Sequence, residues 1–222
     1  MYQPRNLAVA FLTLIMLFLT TACGSSNANI RLLNAMLSQT SLDLLVDGKT
    51  VASSVGYASG SSYASTSSGS HHVQAEATGT TTIVADFGTQ NLGSNSYLTA
   101  AATDNGPAFF TDDHTAPASG DVKIRAINAS SLLSSGTDVY VVTAGTGIAG
   151  SSPTFPGLAY PSASTYDSVA AGSYQAFFTL PGQGFAEFST SGQSFSAGQN
   201  RTFVIMNAQG GGFTSTVLPD LN

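Results

Sequence analysis

The sequence predicts an all-β protein made of two tandem immunoglobulin-like β-sandwich units behind an N-terminal lipoprotein signal peptide. Short apolar segments alternate with polar residues and end at turn-forming residues, which is typical of strands. Charged residues make up only 8% of the chain and there are 23 glycines, a composition typical of turn-rich secreted β proteins. A series of residues in the first half also recurs in the second half in the same order, which indicates a tandem duplication.

The N-terminal segment 1–22 has the three regions of a secretory signal peptide. One positive charge, Arg5, precedes the apolar run 7–19, and small residues follow that run. The run is shorter than the roughly 18–20 residues that cross a bilayer, and no basic cluster follows it. We therefore expect a cleaved signal peptide rather than a transmembrane anchor.

Cys23 is the single cysteine of the chain, and the residues around it resemble the lipobox of bacterial lipoproteins. The residues that a lipoprotein signal peptidase would recognise are Leu19, Thr20, Thr21 and Ala22. The resemblance implies a diacylglycerol on the sulfur of Cys23 and a further acyl chain, such as palmitate, on its amino group. Two or more acyl chains hold a protein stably on a bilayer. Gly24, where an aspartate would resemble an inner-membrane retention signal, favours the outer membrane in a host that has two membranes.

The rest of the chain contains an internal repeat. The segment 30–35 (IRLLNA) returns as 124–129 (IRAINA), and 42–46 (LDLLV) returns as 137–141 (TDVYV). A pair of tyrosines also returns with identical spacing; these are Tyr57 and Tyr63, then Tyr160 and Tyr166. Several matched positions in one order indicate a duplicated unit.

The repeat predicts the domain boundaries. A short tether, 23–28, carries the lipidated cysteine. The polar, turn-rich stretch 112–120 has no apolar periodicity and is predicted to be a linker. It separates a first unit at 29–111 from a second unit at 121–222, each close to the size of an immunoglobulin-like sandwich.

Hairpins can be predicted within both units. Asp47-Gly48 separates two strand-like segments, and this dipeptide favours the positive φ angles of a type I′ turn. A second hairpin is predicted where 97–103 turns through 104–107. A third is predicted where 203–207 turns through 208–212 into 213–218. No segment after residue 23 shows a sustained helical period.

The repeated features resemble the DUF4397 family of bacterial surface and secreted proteins. They are an Ile/Val-Arg-x-x-Asn-Ala strand, an Asp-led second strand, a Tyr-x5-Tyr pair and a Gly-Ser step. The resemblance is clearest at 29–103 and 121–207, although 143–147 replaces the Asp-Gly turn in the second unit. The resemblance implies a β-sandwich architecture, in a family whose members often carry a lipobox before the repeated units. It implies no activity.

The recurring tyrosines have two interpretations. Tyr57, Tyr63, Tyr160 and Tyr166 could stack on sugars or partner side chains at the surface. Half-buried tyrosines more often fix a loop through a hydrogen bond from the hydroxyl group. Their constant spacing in both units favours the structural role.

Three aspartates are weak candidates for a calcium site, namely Asp104, Asp112 and Asp113. Their spacing matches no known calcium loop, and turn or linker chemistry explains them equally well. The adjacent His71 and His72 would point to opposite faces of a strand, so they are not expected to bind one metal ion together. We expect no metal site and no cofactor.

The sequence lacks the patterns of common enzymes. No G-x-S-x-G elbow or phosphate-binding loop occurs, and the glutamates, Glu76 and Glu187, number only one per unit. We therefore expect a protein without catalytic residues. The formal net charge of −6 and the lack of a basic stripe argue against nucleic-acid binding.

These observations predict a lipid-anchored protein of the bacterial cell envelope. Its expected role is that of a non-catalytic interaction or structural module, in adhesion or envelope organisation, with an envelope protein or a glycan as partner. The alternative is a carbohydrate-binding or carbohydrate-processing accessory protein that uses loop carboxylates. Its expected location is the outer membrane, on the periplasmic or the surface face.

Overall fold

The computed structural model describes residues 26–222. The predicted signal peptide and the lipidation site at Cys23 lie outside the described residues. Within 26–222 the regular structure consists of nineteen strands and one 3₁₀ turn, Ser131–Leu133. The predicted all-β fold is confirmed.

Across residues 26–222, no helix has the length and apolar character that crossing a membrane requires.

The first sandwich contains nine strands. These are β1 (Asn27–Ala35), β2 (Ser41–Val46), β3 (Lys49–Gly56), β4 (Ser59–Gly60), β5 (Ala64–Ser67), β6 (Gly69–Ala77), β7 (Ile83–Leu92), β8 (Tyr97–Thr103) and β9 (Gly106–Asp112). In the inner sheet, β1 pairs with β4 and β5 on one side and with β8 on the other, and β9 follows β8. The outer sheet has the order β3-β2-β6-β7.

The second sandwich contains ten strands. These are β10 (Asp121–Asn128), β11 (Thr137–Thr143), β12 (Phe155–Leu158), β13 (Ser162–Ala163), β14 (Asp167–Ala170), β15 (Gly172–Thr179), β16 (Phe188–Ser189), β17 (Gln193–Phe195), β18 (Asn200–Asn207) and β19 (Phe213–Leu221). Its inner sheet joins β13 and β14 to β10, then β18 and β19. Its outer sheet joins β12 to β11, then β15 with β16 and β17.

Each inner sheet is organised around one parallel pair. β1 runs parallel to β8, and β10 runs parallel to β18. All other strand pairs are antiparallel. A parallel first strand distinguishes this strand order from that of an immunoglobulin constant domain, while the architecture of two packed sheets is retained.

The predicted hairpins are present. Asp47 and Gly48 both have positive φ angles, 50° and 72°, and they connect β2 to β3, as the Asp-Gly signal predicts. The hairpins β8–β9 and β18–β19 are also formed. β9 extends to Asp112, so the first residue predicted for the linker is the last residue of a strand.

The molecule consists of four layers because the two inner sheets pack face to face. β1 is buried on both sides: Ile30 and Leu32 belong to the core of the first sandwich, while Leu33 contacts the other sandwich. The apolar cluster between the inner sheets contains Leu33, Ala35, Ala101, Ile127, Ala129, Val204, Met206 and Leu218. Near-continuous apolar runs are expected for strands covered on both faces.

In both sandwiches, the strands that run in the same direction as β1 terminate on the same side of the molecule. The hydroxyl of Tyr57, just after β3, donates to the carbonyl of Asn207 at the end of β18. We call this end the distal end; its turns are 36–40, 57–58, 78–82, 104–105, 129–136, 159–161, 180–187 and 208–212. The proximal end is the opposite one, where β1 begins.

Candidate functional site

A buried group of charged side chains lies between the two inner sheets. Arg31 on β1 and Arg125 on β10 are 1% and 2% exposed. In each strand the neighbouring apolar side chains face their own sandwich core, so the alternation of a strand directs the arginine toward the other sandwich. Each arginine therefore lies at the contact between the sandwiches.

Arg31 connects the first sandwich to β19 of the second. Its Nε donates to Thr99 Oγ1 at 2.8 Å within its own sheet. Its Nη1 donates to the carbonyl of Pro219 at 2.9 Å, and its Nη2 pairs with the carboxylate of Asp220. The guanidinium thus uses all three nitrogens, two of them across the contact.

Arg125 makes the same contacts in the opposite direction. Its Nε donates to Thr202 Oγ1 at 2.8 Å within its own sheet. Its Nη1 donates to the carbonyl of Thr111 at 3.0 Å, and its Nη2 pairs with the carboxylate of Asp112. Asp112 also lies 3.5 Å from Arg31 Nη2, which joins the two ion pairs into one network.

Hydroxyl groups donate further hydrogen bonds to both carboxylates. Asp112 Oδ2 accepts from Tyr63 at 2.6 Å and from Thr99 at 2.5 Å. Asp220 Oδ2 accepts from Tyr166 at 2.9 Å and from Thr202 at 2.5 Å. We call these residues the Arg–Asp network: Arg31, Tyr63, Thr99, Asp112, Arg125, Tyr166, Thr202 and Asp220.

The tyrosine rings of the network also cover its arginines. The guanidinium carbon of Arg31 lies 4.6 Å from the ring centre of Tyr63, and that of Arg125 lies 4.7 Å from the ring centre of Tyr166. Burial raises the pKa of both tyrosine hydroxyls well above the ordinary value of 10.0, and the neighbouring arginines only partly oppose this rise. Burial is the largest single influence on Arg125 and by itself would lower its pKa, but Asp112, Tyr166 and Asp220 together outweigh burial and raise that pKa.

The reciprocal ion pairs between the two sandwiches fix their relative orientation. A buried charge without its partner costs several kcal/mol, so an alternative packing of these faces would leave four charges uncompensated. Apolar contacts alone tolerate sliding far better, because they have no directional partner. The network therefore specifies one arrangement.

A second set of hydrogen bonds crosses the contact at the distal end. The hydroxyl of Tyr160 lies 3.0 Å from Thr103 Oγ1 and accepts from the backbone N–H of Asn105 at 3.1 Å. Asn207 Nδ2 donates to Asp104 Oδ2 at 2.6 Å. Together with the bond from Tyr57 to Asn207, all four recurring tyrosines take part in contacts at or across the boundary between the sandwiches.

The chain between the sandwiches is attached to its surroundings. The carboxylate of Asp113 accepts from Lys123 Nζ at 2.7 Å, and desolvation, which would raise the pKa of Asp113, is outweighed by this bond and those from Thr115, so the pKa is lowered. The ring of His114 stacks on Tyr97 at 3.5 Å and donates to the carbonyl of Asp220 at 2.5 Å.

The three candidate calcium ligands have different bonding partners. Asp104 accepts from Leu37 N–H and Asn207, Asp112 belongs to the Arg–Asp network, and Asp113 binds Lys123. Within residues 26–222 no three His, Cys, Asp or Glu side chains come together in a way that could hold a metal ion.

The two adjacent histidines bind separate aspartates. His71 Nδ1 lies 2.7 Å from Asp47, and His72 Nε2 lies 2.7 Å from Asp86. Both aspartate side chains are about half exposed, at 53% and 51%. The hydrogen bond from His71 is the largest cause of the lowered pKa of Asp47. The pair forms no common site.

The repeated sequence motifs also have structural partners. Asn34 and Asn128 are the fifth residues of the IRxxNA motifs, and the Nδ2 group of each donates to one backbone carbonyl in the following turn and one in a neighbouring strand. Asp43 accepts from the N–H of Ser54, and Asp138 accepts from the N–H groups of Gly157 and Gly182. These side chains attach strands and turns to one another within each sandwich.

The two arginines and Asp220 were not singled out from the sequence. A signal for the arginines was present, because a charged residue recurs inside an otherwise apolar strand, IRLLNA and IRAINA. Asp220 carried no such signal, since a lone acidic residue near the end of a strand pattern is common on surfaces.

One protein family is similar to part of the chain. The model of the DUF4397 family, a domain of unknown function, matches residues 28–135. The match runs through the first sandwich and β10 as far as the 3₁₀ turn, so it contains both arginines. No curated protein matches the chain.

Two solved structures show weak similarity. One is CBMbc, a family CBM26 module from Eubacterium rectale Amy13K in complex with maltoheptaose, with 11% identity, a TM-score of 0.29 and coverage of 86% of this chain and 96% of that chain. The other is the Bacillus anthracis TIE protein, with 6% identity, a TM-score of 0.27 and coverage of 87% and 44%. The similarity to the DUF4397 family is confined to residues 28–135.

Proposed function

We propose that the protein is a lipid-anchored protein of the bacterial envelope that presents two β-sandwiches as one rigid, non-catalytic interaction module. The observation that carries this proposal is the buried Arg–Asp network, which joins the two sandwiches by exchanged charges. A flexible pair of domains would need no such network, because interfaces that permit motion are more polar and solvated.

The position of the first strand supports attachment through Cys23. β1 begins at Asn27, and four residues of extended chain span at most about 14 Å. The proximal end would then lie close to the lipid headgroups and the distal end would point away from them. The acidic surface favours attachment by acyl chains over electrostatic adsorption to an anionic membrane.

The corresponding contacts in the two halves support a tandem duplication. Arg31 and Arg125 bond equivalent threonines in their own sheets and carboxylates in the other sandwich. Reciprocal contacts between equivalent residues are the pattern of a two-fold interface in a homodimer. We propose that a duplicated unit, with its boundary at 112–120, has kept this pattern within one chain.

The bonding of the acidic residues supports a role without catalysis. Asp112 and Asp220 are already paired with arginines and hydroxyls. A general acid or base must instead be able to reach a substrate. A partner of the module is therefore expected to bind at its surface, as an envelope protein or a glycan would.

Replacing Cys23 by alanine tests the anchor. We expect Cys23→Ala to remove metabolic labelling with palmitate and to move the protein from the membrane fraction to the soluble fraction, because the acyl chains would be lost. Thr21→Ser, a small-for-small change before the cleavage site, is the control and should stay in the membrane. Membrane association of Cys23→Ala at the level of the control would contradict the anchor.

A crosslinking experiment on intact cells tests the interaction role. Proteins and glycans crosslinked to the anchored protein are recovered and compared with those recovered from cells that carry Cys23→Ala. A defined partner that requires the anchored form supports the proposal, whereas turnover of a small substrate by the purified protein would contradict it.

A further inference from the structure

The exposed large apolar side chains lie at one end of the molecule. Among residues 26–222 these side chains are Ile83, Leu132 and Phe185, which are 40%, 56% and 60% exposed. Ile83 directly follows the distal turn 78–82, Leu132 lies in the distal 3₁₀ turn and Phe185 lies in the distal turn 180–187. The proximal turns are dominated by serine, glycine, threonine and alanine.

The charges are also distributed unevenly. The distal turns contain two acidic residues, Asp104 and Glu187, and no lysine or arginine. Lys49 follows the proximal Asp47-Gly48 turn, and Lys123 and Arg201 lie near the starts of β10 and β18, at the proximal end. The distal end therefore combines apolar side chains with negative charge only.

The turns that carry Leu132 and Phe185 are held at their bases. Asp138 Oδ2 accepts from the N–H of Gly182 at 2.8 Å, which attaches the turn 180–187 to the start of β11. The N–H of Leu132 lies 3.4 Å from Asn207 Oδ1. Side chains presented by anchored turns lose less conformational entropy on binding than those on free loops.

We propose that the distal end is a docking surface for a cationic, amphipathic segment of another envelope protein. Such a segment would place apolar side chains against Leu132 and Phe185 and lysine or arginine near Asp104 and Glu187. The complementary sign of charge selects this partner, since an acidic segment would be repelled. The location away from the membrane rests on the proposed anchor at Cys23, but the binding chemistry does not.

Peptide binding to the full-length mature protein in detergent micelles tests the proposal. The probe is a fluorescent helical peptide of leucine and lysine, and the matched probe has glutamate in place of every lysine. We expect binding of the lysine peptide alone, weakened by salt because exposed charges are screened. Phe185→Ser and Leu132→Ser should each weaken binding about tenfold, as expected for central apolar contacts.

A pair of charge reversals separates a local site from a general effect of net charge. Glu187→Lys changes the distal end, whereas Asp167→Lys makes the same change in β14, away from it. Glu187→Lys should weaken binding severalfold and Asp167→Lys much less. Equal effects of the two variants, equal binding of the two peptides, or no binding of the lysine peptide would each overturn the proposal.

The binding test is independent of the anchor test. Cys23→Ala is expected to bind the lysine peptide as tightly as the anchored protein. Loss of membrane localisation without loss of binding would support both proposals. Peptide binding by a Cys23→Ala protein that still stays in the membrane would contradict only the anchor.

Discussion

At the scale of single residues, the Arg–Asp network shows how two charged residues are accommodated inside an apolar contact. Arg31 and Arg125 each find a carboxylate, a carbonyl and a hydroxyl acceptor. Buried charges are tolerated when they are paired and their hydrogen-bonding groups are satisfied. The network adds specificity more than stability, because an apolar replacement of matching shape can be equally stable.

Replacing one arginine tests the pairing. Arg125→Met would leave Asp112 buried without its closest partner, and we expect a loss of about 3–5 kcal/mol in the free energy of unfolding. Urea denaturation measures this loss, and Arg201→Met, at a half-buried rim position, is the control. Arg125→Met combined with Asp112→Leu should recover part of the loss; a double variant as unstable as the sum of its single changes would contradict the pairing.

The raised pKa of Tyr63 and Tyr166 predicts instability in alkali. An unfolded chain releases a tyrosine proton near its ordinary pKa of 10.0, while the folded protein keeps it. Stability is therefore complete below about pH 10 and falls above it, by up to about 1.4 kcal/mol per pH unit for each tyrosine.

Urea unfolding between pH 8 and pH 11 measures this fall. The double variant Tyr63→Phe and Tyr166→Phe should be less stable at pH 8, because two hydroxyl donors are lost, and should show a shallower decline above pH 10. An unchanged slope in the double variant would show that other groups cause the alkaline loss.

The tyrosines illustrate what the sequence can reveal at this scale. Their recurrence and constant spacing identify Tyr63 and Tyr166 as a matched pair. Their bonding partners, Asp112 and Asp220, lie 49 and 54 residues further along the chain. No local pattern marks such a contact, because it depends on which strands become neighbours in the sheet.

At the scale of the elements, β1 and β10 are the strands that connect everything else. Each pairs in parallel with a late strand of its own sandwich and is covered on both faces. The apolar runs in 30–35 and 124–129 predict strands, but they do not reveal the second covered face. That face is supplied by the other sandwich, so the separate units predicted from the repeat become adjacent layers.

Gly60 on β4 marks a close approach between the sandwiches. A Cβ at this position would lie 2.6 Å from Leu218 Cδ2 and 3.6 Å from the carbonyl of Leu32. We expect Gly60→Ala to cost about 1–3 kcal/mol through overpacking, because Leu218 is buried and cannot move away freely.

Thermal denaturation compares Gly60→Ala with Gly56→Ala. At Gly56 the nearest contact of an added Cβ would be an ordinary 3.6 Å from Ser59 Oγ, so the change should be close to neutral. Equal melting temperatures of the two variants would contradict the close approach of the two sandwiches at Gly60.

At the scale of the whole molecule, four sheets form one body in which both sandwiches point the same way. The repeat in the sequence predicts two sandwiches, and the structure adds their side-by-side arrangement. Charge exchange between equivalent positions, Arg31 to Asp220 and Arg125 to Asp112, accounts for that arrangement. A molecule built in this way keeps a fixed geometry at its distal end.

Native-state hydrogen exchange is the measurement that tests this rigidity most directly. In increasing urea, amides of β1 and β10 are followed by mass spectrometry in the same sample. Because buried ion pairs link the two sandwiches, we expect both strands to open in one cooperative step. The free energy of opening and its dependence on urea should then be the same for both strands. In Arg125→Met, the strands should open separately. Independent opening of β1 and β10 in the unmodified protein would contradict the proposal that the two sandwiches act as one rigid module.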